Sequence, residues 1–503
     1  MSVGRTPRPI GRDVDAERLV PNYAGAQHAS RPLASPAVPE HPFMAQHGAS
    51  CMHVDPYTTN AYDWPGPRGR DPEVTTRSNG FLGGECPTVN FDREGRIITA
   101  CVNQRVPSLL LLDPDTLQVL ARHDLPARRT PLLRIREMVD DTSGGAYFYL
   151  DQLDRAVIGA ADGSIRIVRL DESTGSPRFV IDAEHDLTRA LALGEGRLDK
   201  ITAVVPDYQG NLWFVARYGT VGFVSRDGAV RSLRLEGEEI ENSFSVANEG
   251  AYIVSDHALY RFEVGPRGTP RVVWRETYDR GSRRKLGQIN RGSGTTPTLL
   301  GEDYVAIGDN AEPRMNVLVY RRERTSDHRR VCATPVFRPG QSATENTFIG
   351  HGRSLVVENN AGYDIFTTMT GGRTSAPGIV RVDIRADESG CDVVWESDEI
   401  SQTAVPKLST ATGLVYLYTK LPDSPRSLDA YYFTAVDFAT GRTAYRVLTG
   451  TGIRYDNHWA AIALAEDGSA YVGVLNGLVR IRDRPSRIDV PNLASLESSR
   501  DPL

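Results

Sequence analysis

Short apolar runs, each broken by a tight turn, recur along most of this chain and constrain its fold more than any other feature. Three clear examples are ITAVVPDYQGNLWFVARYG (201–219), TTPTLLGEDYVAIGDN (295–310) and WAAIALAEDGSAYVGVLNGLVRIRD (459–483). The pattern returns about every 40–50 residues, a spacing that repeat architectures show. Helical periodicity is modest even at 187–200, its best example. The sequence therefore predicts many short antiparallel strands arranged as repeated units.

Eight such units can be counted, which predicts an all-β chain with a single β-propeller of eight blades (seven blades being the alternative) and four antiparallel strands in each blade. The last unit shows only three clear strands. We expect a strand from residues 50–85 to complete it, because that closure leaves no exposed sheet edge at the seam. The predicted organisation is an irregular N-terminal arm (1–84) that wraps or caps the disc, the propeller (85–484) and a surface tail (485–503).

Charge and hydropathy narrow the range of partners. The formal net charge is −6 and the pI is about 6.0, so the basic face or stripe that nucleic-acid binding requires is not expected. No stretch reaches the ~18 apolar residues of a membrane span. The first 25 residues have no apolar core, which predicts a cytoplasmic protein unless a leader is missing. The composition leaves the oligomeric state open.

Five cysteines are present, and none forms a CxxC pair, so a structural zinc site is not expected. Cys86 and Cys101 fall opposite each other on one predicted hairpin, while Cys332 and Cys391 open equivalent outer strands of adjacent units. We expect buried thiols at these four positions. Disulfides are the alternative, and they would indicate an exported ancestor.

Polar residues cluster where the inner strands of the predicted blades meet one end of the central axis. The start of the first strand and the end of the second lie on the same face, and hairpin symmetry predicts which residues pair there. The predicted pairs are Asn242 with His257, Thr295 with Asp309, Glu345 with Glu358, and Arg217 with Thr202. A concave surface with several converging polar groups is where ligand binding is expected. The alternative is structural, since Asn and Asp often bond the backbone at strand ends.

Two segments resemble known propeller families. AVDFATGRTAYRV (435–447) resembles the outer-strand repeat of quinoproteins of the pyrroloquinoline-quinone type, and GNLWFVARYGTVGFVSRDG (210–228) is similar to a blade of streptogramin-lyase and SMP-30-like propellers. Both resemblances imply a propeller fold. The adjacent-cysteine pair of the quinone enzymes is absent from this sequence, and the SMP-30-like and paraoxonase-like hydrolases have six blades.

The first functional hypothesis is an enzyme that acts on a small molecule in this funnel, as a metal-assisted hydrolase, lactonase or lyase. The Asp309-Asn310 pair is similar to the calcium site of SMP-30-like and paraoxonase-like propellers, and calcium prefers carboxylate and amide oxygens. The predicted metal ligands are Asn242, Asp309, Asn310 and Asn346. The predicted catalytic residues are His257 or His458 as general base, Glu345 and Glu358 as an acid/base pair that needs no metal, and Arg217. The predicted substrate-binding residues are Lys200, Thr295, Thr296, Lys407, Lys420 and Asn457.

Two other functions remain open. A redox propeller of quinoprotein or copper type would need a docking surface or several imidazoles, and His41, His47 and His53 in the arm could fold over the funnel to add ligands. A non-catalytic scaffold would present one face of the disc to a protein partner. Apart from a divalent metal, the first hypothesis requires no cofactor.

Overall fold

The computed structural model of the protein describes residues 3–35, 38–80, 84–102, 106–128, 141, 143–323, 329–368, 375–421 and 428–484. Regular structure in these ranges is almost entirely β. The two α-helices of the described chain have four residues each, α1 (Val14–Glu17) and α2 (Ile365–Thr368), and a 3-10 turn covers Ile453–Tyr455. No helix in the described ranges is long and apolar enough to cross a membrane.

Three strands lie in the N-terminal arm, and each joins a sheet built from residues much later in the chain. They are β1 (Tyr23–Gly25), β2 (Ala61–Tyr62) and β3 (Pro72–Ser78).

Four sheets follow in chain order, and a short hairpin separates the second from the third. The first two consist of β4 (Thr88–Phe91), β5 (Ile97–Cys101), β6 (Ser108–Leu112) and β7 (Val119–Asp124), and of β8 (Tyr149–Leu150), β9 (Ala156–Gly159), β10 (Ser164–Asp171) and β11 (Arg178–Asp186). The hairpin is β12 (Ala192–Gly194) with β13 (Arg197–Leu198). The third and fourth consist of β14 (Ile201–Pro206), β15 (Leu212–Ala216), β16 (Thr220–Val224) and β17 (Val230–Arg234), and of β18 (Ser245–Ala247), β19 (Gly250–Val254), β20 (Ala258–Val264) and β21 (Pro270–Thr277).

Four further sheets complete the set. The fifth and sixth consist of β22 (Thr298–Leu300), β23 (Tyr304–Gly308), β24 (Asn316–Arg321) and β25 (Arg330–Pro335), and of β26 (Ile349–His351), β27 (Ser354–Glu358), β28 (Ile379–Ile384) and β29 (Cys391–Ser397). The seventh contains β30 (Ile400–Ser401), β31 (Lys407–Ser409), β32 (Leu414–Lys420), β33 (Ala430–Asp437) and β34 (Thr443–Thr451), with β1 and β2 at its two edges. The eighth consists of β35 (Ile462–Leu464), β36 (Ala470–Val474) and β37 (Gly477–Asp483), completed by β3.

These sheets are the blades of a β-propeller, as predicted. Each has consecutive antiparallel strands in simple order, and neighbouring sheets bury apolar faces against each other. Val89 of the first sheet packs in one core cluster with Ala463 of the eighth, which closes the ring. The predicted closing strand is confirmed as well, because β3 pairs along its whole length with β37.

Among the four predicted polar pairs, the hairpin register was predicted correctly for one and wrongly for the other three. Thr298 pairs with Ala306, as the predicted Thr295–Asp309 register requires. Ser245 pairs with Tyr252, so Asn242 and His257 are not opposite each other. The reason is a two-residue turn between β18 and β19, shorter than the turn assumed from the sequence.

The other two errors have similar causes. A two-residue turn joins β26 to β27 and puts Ile349 opposite Val356, which shifts the predicted Glu345–Glu358 pair by two positions. In the third sheet Val204 pairs with Phe214, one position away from the register that the predicted match of Thr202 with Arg217 requires, and a register shift near Ile201 moves the pairing one position further. A bulge of this kind adds an unpaired residue, which the symmetry argument cannot detect.

The expectation of four buried thiols was wrong. Cys86 and Cys101 form a disulfide with their Cα atoms 4.0 Å apart, and Cys332 and Cys391 form a second one at 5.8 Å. The first closes the β4–β5 hairpin region, and the second joins β25 to β29, the outermost strands of neighbouring sheets. Both Cα separations bring the sulfur atoms within bonding reach. Cys51 is the free cysteine of the described residues.

Candidate functional site

The central axis of the propeller is filled by its own chain. We call residues 49–62 the axial segment. Its carbonyl groups accept hydrogen bonds from the innermost strands of six sheets, in the order in which those sheets follow one another. The backbone N–H groups that donate these bonds belong to Phe91, Leu150, Val246, Leu299, Gly350 and Leu408. Only a segment inside the ring can contact six inner strands in turn. The axial segment therefore closes the inner end of the predicted funnel.

Several predicted site residues meet the axial segment in a buried polar cluster. His53 Nδ1 lies 3.3 Å from Asn60 Oδ1, and the hydroxyl of Thr296 lies 3.4 Å from His53 Nε2. The ammonium group of Lys407 donates to the same Asn60 oxygen at 2.5 Å. Asn60 Nδ2 donates to the backbone oxygens of residues 347 and 348. Asn60 therefore organises the cluster, which we call the axial cluster (His53, Asn60, Thr296, Lys407 and their neighbour Glu358).

Burial controls the protonation of the axial cluster. It lowers the pKa of Lys407 to about 7, although the attraction of nearby acidic groups acts to raise that pKa. It raises the pKa of Glu358 to about 8, although Ser401, Asn360 and Asn346 donate hydrogen bonds to that carboxyl group. Burial and the nearby Lys407 lower the pKa of His53 to about 3. Low-dielectric surroundings disfavour every charged form in this cluster.

Three of the four predicted basic residues of the funnel are paired with acids. Arg217 bonds Glu241 at 2.8 Å, and Lys200 bonds Asp141 at 2.7 Å. Lys420 forms a buried ion pair with Asp429. Three of the positive charges that we predicted for the substrate site are therefore already paired with acidic residues of the protein.

His257 is held in a similar way at the rim of the funnel. Its Nδ1 lies 2.8 Å from Asp256 Oδ1, and Nε2 lies 2.6 Å from the guanidinium of Arg280. Arg280 also bonds Asp256. This arrangement fixes the ring between two charged groups.

The predicted metal ligands make hydrogen bonds with the protein itself. Asp309 accepts hydrogen bonds from the backbone N–H groups of Ala311 and Asn316 and from the Asn316 side chain, which shapes a local turn. Asn310 donates to the loop carbonyls of Arg280 and Arg283. Within the described ranges, no group of three or more His, Cys, Asp or Glu is placed to hold a metal ion.

The other predicted polar residues make hydrogen bonds within their own blade or to a neighbouring one. Asn242 accepts a hydrogen bond from Tyr147 at 3.0 Å and donates to the carbonyl of Gly294. Asn346 donates to the carbonyl of Thr403 as well as to Glu358. Thr295 accepts from the backbone N–H of Gly308, and Glu345 is buried, with its backbone N–H donating to Asn360 Oδ1. Asn457 accepts from Thr403 and donates to two carbonyls of its own blade. These contacts agree with the structural role of strand-end residues.

His458 lies in a different setting, at the mouth of the funnel. Its Nδ1 is 3.0 Å from the hydroxyl of Tyr363, and that hydroxyl is 3.3 Å from Asp456 Oδ2. All three side chains are buried, and the backbone N–H of His458 donates to Glu85 at 2.9 Å. We call His458, Tyr363 and Asp456 the mouth trio.

The electrostatics of the mouth trio favour proton exchange near neutral pH. Burial raises the pKa of Asp456 to about 7, against the opposing attraction of Lys420 and a hydrogen bond from Tyr431. Burial also raises the pKa of Tyr363 well above its ordinary value. The trio therefore joins a neutral phenol to a carboxyl group that changes charge at physiological pH.

Two loops build a small pocket over the mouth trio. One precedes β22 and the other follows β27, and they meet where Gly362 N–H donates to the carbonyl of Leu286 at 3.0 Å. Gly287 has φ +90°, and a Cβ there would lie 1.9 Å from the carbonyl oxygen of Asn360. Only glycine permits this close approach. The resulting pocket has a volume of about 30 Å³ and is lined by Arg284, Leu286, Gly287, Gln288, Ile289, Tyr363, Asp364, Ile365, Phe366, His458 and Trp459.

Trp459, which lines this pocket, has an unusual backbone conformation. Its φ of +66° is unusual for a bulky residue, and such conformations cost about 1–3 kcal/mol. The indole packs edge-on against Tyr363, with ring centroids 5.7 Å apart. The strained position holds the indole beside His458, and strain of this kind is common at functional sites.

The sequence located His458 and Asn457 in the funnel but missed Tyr363, Asp456 and Trp459. Asp456 directly precedes the NH pair that signalled a strand start, so its position could have been noticed. Tyr363 lies in a loop 93 positions from its carboxylate partner, and nothing in the local sequence predicts that contact.

Comparison with known proteins gives one distant relative in sequence and a general likeness to solved structures. No protein-family model matches the chain. An uncharacterised protein of Archaeoglobus fulgidus is 25% identical over 317 residues, which are 56% of this chain and 61% of the relative. The chain thus spans less than two thirds of that relative's length.

The similar solved structures are propeller-type folds. Streptogramin B lyase superposes with a TM-score of 0.40 and 9% identity, covering 82% of this chain and 97% of the lyase. Sqt1 of Chaetomium thermophilum, bound to the N-terminus of a ribosomal protein, gives 0.46 and 11%, covering 88% of this chain and all of Sqt1. Scores of this size describe a general likeness, so the assignment of the fold rests on the sheet topology above.

Proposed function

We propose that this propeller is a hydrolase of small carbonyl compounds, such as esters or lactones, with its active site at the mouth trio. The observation that supports the proposal best is the hydrogen-bonded series Asp456–Tyr363–His458, two members of which line a small pocket. A histidine oriented by a second group, which is oriented in turn by a carboxylate, is the arrangement that general-base catalysis uses.

The hydrogen bonds define how His458 would act. Tyr363 has one hydroxyl proton, and when that proton points to Asp456 the phenol oxygen accepts Nδ1–H from His458. The lone pair of the imidazole then lies on Nε2, which can remove a proton from water. Ionisation of Asp456 strengthens this arrangement, so turnover should rise as the pH passes through about 7.

The size and charge of the pocket suit hydrolysis. A volume of about 30 Å³ accommodates roughly one water molecule, which would be the nucleophile beside His458. Arg284 lies on the pocket wall and is positively charged. A cation there can stabilise the negative charge that develops on a carbonyl oxygen during attack. The substrate itself would bind at the outer opening, between the 284–289 and 363–366 loops.

Calcium has no step in this proposal. The predicted ligands Asp309, Asn242 and Asn346 use polar atoms in hydrogen bonds to different partners. A metal-assisted reaction therefore stays a prediction that this geometry does not favour.

A second function is a binding scaffold for another protein. The observation that favours it is the filled axis, because the axial segment occupies the space where many propellers could hold a ligand. In that case the mouth trio would be a buried structural network, and the outer surfaces of the disc would carry the function.

A panel of chromogenic esters and simple lactones tests the first function. We expect turnover that His458→Gln lowers about 10²–10⁴-fold, the usual contribution of a general base. Tyr363→Phe should lower it less, because the imidazole keeps its place. His185→Gln, on the outer strand β11, is the matched control and should retain full activity. Failure to hydrolyse any panel member, or full activity in His458→Gln, would contradict the proposal.

A further inference from the structure

A second and larger concavity lies on the face of the disc opposite the mouth trio. One wall is the N-terminal arm from residue 38 to residue 50, and the other is formed by the tight turns after β4 and β8. Its volume is about 400 Å³, within the range of small-molecule sites. We call it the arm pocket.

The arm pocket is rigidly built. The backbone N–H of Ala45 donates to the Leu150 carbonyl at 2.8 Å, and that of Phe91 donates to the Ala49 carbonyl at 3.3 Å. Tyr208 donates to the Pro39 carbonyl, and its ring lies 4.2 Å from that of His41. The arm is thus tied to three blades, which gives the pocket fixed walls.

One side of the arm pocket is apolar. It consists of Val38, Pro42, Met44, Ala49 and Phe91. Phe91 is buried in the core behind it. This side can cover a hydrocarbon or aromatic group of modest size.

The polar side carries an excess of negative charge. Four carboxylates line the arm pocket together with a single guanidinium and without a lysine: Glu40, Asp63, Asp92 and Asp154 against Arg93. Two of these acids already have cationic partners, since Asp92 bonds Arg96 at 2.8 Å and Asp154 lies 3.6 Å from Arg93. Glu40 and Asp63 supply the uncompensated charge.

His47 lies between Asp63 and a second carboxyl group, that of Asp55. Asp63 lies 3.6 Å from His47 Nε2, and the opposite ring nitrogen of His47 lies 3.9 Å from the buried carboxyl of Asp55. The Asp63 side chain is 41% exposed, so it remains accessible to a ligand. Among the described residues, no hydrogen bond or ion pair engages the exposed Glu40.

We propose that the arm pocket binds a small organic amine, with its protonated nitrogen at Asp63 and Glu40 and its apolar part against Val38, Pro42 and Phe91. Charge-assisted hydrogen bonds to a carboxylate are the strong contacts available to an ammonium group. The apolar residues favour an organic ammonium ion over a small inorganic cation, because an inorganic cation makes no favourable contact with them. This site is separate from the mouth trio and does not depend on the proposed hydrolysis.

Calorimetric titration of the full chain with benzylamine tests the proposal, with benzyl alcohol and benzoate as probes of equal shape and different charge. We expect benzylamine to bind at least tenfold more tightly than the other two. Asp63→Asn and Glu40→Gln should each weaken it at least threefold. Glu302→Gln, an exposed acid in the turn after β22, is the matched control and should leave its affinity unchanged.

Equal binding of benzylamine and benzyl alcohol would overturn the proposal, as would affinity that both carboxyl variants leave intact. Binding of a lysine-containing peptide without binding of benzylamine would also overturn it, in favour of a protein-docking surface. Because Glu40 is exposed, Glu40→Gln keeps the test decisive even if Asp63→Asn fails to fold. Ester hydrolysis by the wild type has no bearing on these outcomes.

Discussion

The axial cluster and the mouth trio are both buried networks of a histidine and a carboxyl group, yet they differ in what surrounds them. In the axial cluster, a pocket of about 20 Å³ reaches His53, but Lys407 and Asn60 do not line it, and Asn60 satisfies both His53 and Lys407. Around the mouth trio, two loops leave a pocket that reaches His458. Burial alone therefore does not distinguish a structural network from a reactive one. The decisive difference is whether a ligand or water can reach a group whose proton can move.

The largest expected effect is the loss of Asn60 from the axial cluster. Asn60→Leu removes the acceptor of Lys407 and leaves a buried ammonium group without that bond. We expect a loss of about 3 kcal/mol in the free energy of unfolding, because Lys407, His53 and two backbone carbonyls all lose a partner and each unsatisfied buried polar group costs about 1–3 kcal/mol. Denaturant unfolding at pH 7 measures it.

A double variant shows whether that loss comes from the lysine. Combining Asn60→Leu with Lys407→Met should recover a large part of the stability, because no buried cation then needs a partner. If Asn60→Leu costs as much in the Lys407→Met background as it does in the wild type, Asn60 acts through the backbone and not through Lys407.

Lys407 should make the protein less stable as the pH falls. Its pKa is about 7 in the folded chain, against 10.5 as the ordinary value. Between these values the unfolded chain binds the proton more readily, so stability decreases from pH 10.5 down to pH 7. Lys407→Met should therefore raise the free energy of unfolding by about 1–3 kcal/mol at pH 7. The gain should shrink towards pH 10.5, and a gain independent of pH would contradict this account.

Asp456 should have a smaller effect with the opposite sign. Its pKa rises from 3.8 to about 7 on folding, so the folded chain holds the proton more tightly and stability decreases as the pH rises through that window. Asp456→Asn should stabilise the protein by about 1 kcal/mol above pH 7 and have almost no effect at pH 4. The exposed Asp15→Asn is the control, expected to show no such pH dependence. Stabilisation at pH 4 equal to that at pH 8 would contradict the assignment.

The sequence predicted the propeller because strand alternation and turns are local signals, and it placed Thr295 correctly against Asp309. Where a turn had two residues instead of three or four, as before Gly250, the predicted register failed. The contact between Lys407 and Asn60 spans 347 positions, and no local pattern indicates it. The same holds for Tyr363, whose role depends on a loop that returns to another blade. Local rules thus predicted the blades, while the chemistry depended on contacts between distant segments.

The most direct test of the contrast between the two networks is the pH dependence of histidine ring resonances in wild type and Asp456→Asn. We predict that the His458 signals shift with a midpoint near pH 7, the pKa of Asp456, and that this transition disappears in the variant. The His53 signals should stay those of a neutral ring from pH 5 to pH 9, since its pKa is about 3. A His458 transition unchanged in Asp456→Asn, or a His53 ring that titrates above pH 5, would contradict the account.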